Sequence, residues 1–111
     1  MKKQYFINAN IIDPHNSLNE TGGLIIGEDG KIEAIGKKVN TNNLPSREKP
    51  IDLKGRYIFP GIVDMRVFVG EPGYEYKENF RTLSNAALSG GVTSVVTMPN
   101  TDPVIDNVSI V

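Results

Sequence analysis

With 111 residues and 39% hydrophobic content, the chain has material for one small domain with a modest core. A net charge of −1, with lysines and arginines scattered along the chain, gives no electrostatic ground for a nucleic acid or an anionic membrane as partner. The absence of cysteine excludes disulfides and thiolate metal sites and suits the cytoplasm, leaving histidine or carboxylate sites as the remaining metal chemistry.

The N-terminus, Met1-Lys2-Lys3-Gln4-Tyr5-Phe6-Ile7, lacks the apolar core and small-residue cleavage pattern of a signal peptide. No apolar run approaches membrane-spanning length. Tyr5 to Ile12 is rich in β-formers and ends at the turn signal Asp13-Pro14. His15, the single histidine, follows in that turn and reads as a surface imidazole, since one histidine makes no metal cluster. Leu24-Ile25-Ile26 and Ile32 to Ile35 flank Gly27-Glu28-Asp29-Gly30 and predict a β-hairpin, because Asp-Gly supplies the positive φ angles that a tight turn demands. Lys37 to Pro50 has the polar, proline-containing composition of a surface loop. Ile51-Asp52-Leu53 and Tyr57-Ile58-Phe59 then bracket Lys54-Gly55-Arg56 as another strand, turn and strand.

From Pro60 to Gly73 the chain reads P-G-I-V-D-M-R-V-F-V-G-E-P-G. Side chains alternate along a strand, so Val63, Met65, Val67 and Val69 are expected on one face, and Asp64, Arg66, Phe68 and Gly70 on the other. The period then changes. Tyr76, Phe80, Leu83 and Ala87 recur at helical spacing, which predicts a helix from Glu75 to Ser89 with Glu75 and Glu78 in its first turn and Gly90 as its stop. Val92 to Met98 is apolar and β-branched, the pattern of a strand buried on both faces of a parallel sheet. Residues 60 to 98 thus spell strand, helix, strand. Glu71, Glu75 and Glu78 could form an acid–base set, but the helix start accounts for two of them and a loop for the third. Gly90-Gly91 closes a helix instead of opening one, so it is no phosphate cradle.

The Pro60 to Gly73 segment resembles the dihydroorotases of the amidohydrolase superfamily, whose barrel opens with Pro-Gly-x-x-Asp-x-His-x-His-x-Arg-Glu-Pro-Gly. Pro60, Gly61, Asp64, Glu71, Pro72 and Gly73 keep that frame. The pattern's two metal-binding histidines are replaced by Arg66 and Phe68, and its substrate-gripping arginine by Gly70. The run from Ala86 to Thr93 and then Met98-Pro99-Asn100-Thr101 is similar to the same family, in which the asparagine contacts the substrate carboxylate; Asn100 matches that position.

The resemblance implies a mixed fold. Residues 1–59 would be the N-terminal half of a small β-sandwich, and residues 60–111 the first β-α-β unit of an incomplete TIM-type (β/α)8 barrel. A whole barrel needs roughly 250 residues, so the chain is expected to be a piece of a longer protein. The implied family reaction is reversible hydrolysis of a cyclic amide, interconverting dihydroorotate and carbamoyl aspartate in pyrimidine synthesis, with zinc as the family metal. Arg66 has no acceptor lone pair and Phe68 no ligand atom, so this chain is expected to hold no metal and no catalytic group of its own. Two functions are implied: a hydrolase drawing its ligands from later strands, or an inactive structural partner of aspartate transcarbamoylase, in either case within an oligomer. A hydantoinase or allantoinase relative fits less well, because Glu71-Pro72-Gly73 and the Tyr76 to Phe80 stretch look like dihydroorotase.

Overall fold

The computed structural model describes residues 2–45, 47 and 49–111; Met1 and, within the expected polar loop, Ser46 and Glu48 lie outside it. The chain is strand-rich and mixed, with one α-helix, and divides into two compact units, Met1–Pro60 and Gly61–Val111.

The first unit is built on β1 (Gln4–Asp13). Its buried residues Tyr5, Ile7, Ala9 and Ile11 recur at every second position, with Ala9 and Ile11 only 0% and 1% exposed, as a strand with one covered face requires. β1 pairs antiparallel with β2 (Leu18–Ile26), which begins six residues before the apolar triplet that marks it in the sequence. Between them Asp13 organises the turn, accepting hydrogen bonds from the His15 and Asn16 amides. His15 is exposed. β2 in turn pairs antiparallel with β3 (Ile32–Gly36), with Ile26 opposite Ile32 as the Asp-Gly turn predicts.

The next two strands depart from a simple strand-turn-strand. β4 (Ile51–Asp52) and β5 (Tyr57–Ile58) do not pair with each other; both add in parallel to β1, at Phe6 and Ile7 and at Asn10 and Ile11 respectively. The reason lies in β1's free edge. It takes the backbone groups of the connection as well, with Leu53 N–H on Ile7 O, Gly55 N–H on Asn8 O and Arg56 O accepting from Asn10 N–H. The segment therefore runs past β1 as one kinked strand, giving the order β3-β2-β1-β4 with β5 also on β1.

The second unit comprises β6 (Ile62–Val67), α1 (Phe80–Ser89) and β7 (Val92–Thr97). β6 and β7 are parallel neighbours joined through the helix, a β-α-β unit. Two expectations are corrected here. The helix begins at Phe80, five residues later than the apolar spacing indicates, so Glu75 and Glu78 precede it and Tyr76, 79% exposed, lies off its face. The cause is local: Asn79 is extended and caps the helix, and residues 70–78 are held in turns by Tyr74 N–H on Gly70 O and Lys77 N–H on Tyr74 O. β7 is also not buried on both faces, since Val95 and Val96 are exposed. A two-stranded parallel sheet leaves each strand with one unpaired edge and much apolar face uncovered.

Candidate functional site

Because β6 and β7 are parallel, both deliver their following loops to the same end of the sheet. Val67 stands opposite Thr97, and Met98 N–H donates to Val67 O at 2.8 Å, so residues 68–79 and 98–105 leave side by side. All the sequence-selected positions, Arg66, Phe68, Gly70 and Asn100, belong to this end or lead into it.

The alternation expected along β6 is interrupted. Three steps from Asp64 to Val67 oppose two from Val95 to Thr97, so β6 carries a bulge there. Inside it the Asp64 carboxylate accepts the Arg66 N–H at 3.0 Å. Asp64, Arg66 and Phe68 therefore do not form one uninterrupted row. Arg66 is exposed and makes no ion pair among the described residues. Val63 and Met65, expected on one face with Val69, are exposed too, whereas Val69 is buried completely.

Gly70 is enclosed by its own loop. Its φ is +76°, and a Cβ there would lie 2.9 Å from the carbonyl oxygens of both Tyr74 and Glu78. The loop has thus closed over the position at which the family pattern carries an arginine, and a side chain fits only if backbone moves. Phe68 packs its ring against Tyr74, with centroids 6.2 Å apart, and the Lys77 ammonium lies 5.1 Å from the same Tyr74 ring.

Two acidic residues of this loop, Glu71 and Glu75, act on backbone. The Glu71 carboxylate accepts from Phe80 N–H, the first amide of α1, at 2.9 Å. Asn79 accepts from the next two, Arg81 and Thr82, both at 3.0 Å, and the Thr82 hydroxyl accepts from Asn79 N–H in return. That hydroxyl donates to Glu78. Glu75 accepts from Gly73 N–H at 2.9 Å, and this bond holds its carboxyl below the usual carboxylate range. An asparagine followed three residues later by a hydroxyl residue is a local cue for a helix start at Asn79, which the apolar spacing reaching back to Tyr76 does not carry.

Asn100 is exposed at the turn after β7. Next to it Thr101 is buried, a residue that ends the Met98 to Thr101 motif and to which the sequence assigns no role. Among the described residues no group of three or more His, Cys, Asp or Glu is placed to hold a metal ion, nor is any helix long and apolar enough to cross a membrane.

The class defined by this geometry is a parallel β-α-β unit with its candidate site at the strands' C-terminal ends, following a separate β-sheet unit. A family model described as dihydro-orotase-like matches residues 55–109. The chain is 43% identical over 102 residues to the dihydroorotase of Chlorobaculum tepidum, covering 92% of this chain and 23% of that protein. It is 47% identical over 97 residues to the dihydroorotase of Syntrophus aciditrophicus, covering 87% and 22%. With the dihydroorotase of Aquifex aeolicus it shares 39% identity over 111 residues, 100% of this chain and 25% of the other. The chain belongs to the dihydroorotase family. It spans about a quarter of the length of the curated relatives it matches.

Proposed function

We propose that the chain forms the opening part of a dihydroorotase-type protein in which the first-strand half of the metal site has been lost. In this reading β6, α1 and β7 are the first unit of a TIM-type barrel and the β1 to β5 sheet is half of a small sandwich. The protein acts in the cytoplasm as a non-catalytic partner in an oligomer, with aspartate transcarbamoylase the proposed companion. The observation that carries the reading is the donor set. Zinc takes nitrogen, sulfur or carboxylate oxygen ligands, whereas Arg66 offers only N–H donors and Phe68 no polar atom. These residues do not fit the metal.

A second reading keeps the hydrolase: cleavage of a cyclic amide of the dihydroorotate type, with metal ligands from elsewhere in the protein. Asn100 favours it. Its exposed side-chain amide, beside the loop that follows β6, is suited to donate a hydrogen bond to a substrate carboxylate, though without the bidentate grip of an arginine.

The test uses the complete natural protein, purified free of any other dihydroorotase and assayed with dihydroorotate while its zinc content is measured. Turnover near zero and less than one zinc per chain are expected. Hydrolysis at rates of ~1–10³ per second would establish the hydrolase reading instead. The double change Arg66→His and Phe68→His should then raise zinc binding if other strands retain their ligands. Adding Gly70→Arg is expected to gain nothing unless residues 70–78 rearrange, because two carbonyls stand 2.9 Å from where its Cβ would be.

A further inference from the structure

Thr101 is 4% exposed, in a unit whose other polar side chains are more open to solvent. Its hydroxyl has one proton to give and two carbonyls within reach, Pro103 O at 2.9 Å and Pro99 O at 3.3 Å, the shorter being the better donor geometry. Pro99 O also accepts from Thr101 N–H at 2.9 Å and from Ile105 N–H at 3.2 Å. Residues 99–105 are thereby folded onto themselves with Thr101 at the centre. The following residue fastens this knot to the neighbouring loop: Asp102 N–H donates to Pro72 O at 3.0 Å, and Gly73 lies so close against the Asp102 backbone that no side chain would fit between them. Asn100, immediately before Thr101, is exposed.

We infer that Thr101 is a positioning residue: its buried hydroxyl holds residues 99–105 in the fold that lets Asp102 N–H reach Pro72 O, and so fixes Asn100 for a ligand carboxylate. The inference rests on the reading of Asn100 as a carboxylate contact. A valine keeps the shape of threonine but leaves a carbonyl inside the knot without its donor, whereas a serine keeps the donor and loses only a methyl group.

The experiment measures calorimetric affinity for dihydroorotate in the complete natural protein and its Asn100→Ala, Thr101→Val, Thr101→Ser and Asn100→Ala/Thr101→Val variants. Amide hydrogen exchange at Asp102 is followed in parallel. Thr101→Val should weaken binding by about tenfold, the scale of one hydrogen bond to a buried group, and speed exchange at Asp102. Thr101→Ser should stay within about twofold on both measurements. The double variant should bind no worse than Asn100→Ala alone, because a positioning effect vanishes with the group being positioned, whereas an unrelated structural effect adds. If Asn100→Ala weakens binding and Thr101→Val does not, or if the two effects add, the positioning role is overturned and the Asn100 reading stands. If Asn100→Ala binds like the unaltered protein, or the unaltered protein does not bind, the Asn100 reading falls and this inference falls with it. Unchanged Asp102 exchange in Thr101→Val also overturns the positioning role, whatever the ligand does.

Discussion

Replacing Asn79 by alanine tests how the helix is started. The Asn79 carboxamide oxygen accepts from Arg81 and Thr82 N–H, each at 3.0 Å, so the substitution strips two of the four amides that a helix start leaves without partners. Three supports survive: Glu71 still accepts from Phe80 N–H, the Thr82 hydroxyl still accepts from the backbone N–H of residue 79, and the carbonyl of residue 79 still accepts from Leu83 N–H. The cost is therefore set near the middle of the range for cap removal, ~1 kcal/mol, and not at its upper end. Since 1.4 kcal/mol is tenfold in an equilibrium, the first turn should open about five times more often. Hydrogen exchange of the peptide covering residues 79–89, measured in the complete natural protein, reads this directly. Asn79→Asp, which keeps the acceptor and adds charge of the sign the helix N-terminus favours, should exchange like the unaltered chain. An increase below twofold for Asn79→Ala, beside a larger one for Glu71→Ala, would refute the reasoning and assign the helix start to Glu71.

Gly70→Ala should lower stability by ~1–3 kcal/mol, read as a shift of the urea midpoint, because φ is +76° and both nearby carbonyls are backbone; an unchanged midpoint would mean that the loop repacks freely. The Asp52 carboxyl lies below its ordinary 3.8 because Lys54 N–H and the Asn8 amide donate to it. A folded value below the unfolded one means that this support is in place above pH 3.8 and is lost as pH falls through the lower folded value. The Lys54 amide resonance should accordingly titrate below 3.8, and a midpoint above it would contradict the assignment. The 111 residues alone should self-associate as concentration rises, since Val63, Met65, Leu88 and Val96 are exposed on one small unit; sedimentation of a monomer with a cooperative, high-temperature melt would overturn this.

Local chemistry made much of the architecture legible in advance. The Asp29-Gly30 turn predicts its hairpin because few residues other than glycine, asparagine and aspartate accept positive φ, and Gly30 has φ +79°. The β-branched run after Gly90-Gly91 predicts β7, and the Pro60 to Gly73 frame together with Met98 to Thr101 carries the family. Other features needed partners distant in the chain. That Ile51 and Tyr57 belong to strands parallel to β1 depends on an edge some 45 residues away, which no local pattern encodes. The Tyr76 spacing imitates a helical stripe, but Asn79 takes an extended conformation and its side chain satisfies the helix amides, so the cap decides where the helix begins. The strict alternation along β6 fails at the bulge, whose existence rests on the pairing register with β7. The enclosure of Gly70 depends on how residues 70–78 turn back on themselves, and the bond from Asp102 N–H to Pro72 O forms only when β6 and β7 lie side by side. Residue identity thus determined which ligand chemistry this end of the sheet can offer, because arginine and phenylalanine lack donor atoms for a metal in any fold. Tertiary structure decided which backbone holds Asn100 in place, because a hydrogen bond between loops exists only after the strands have brought them together.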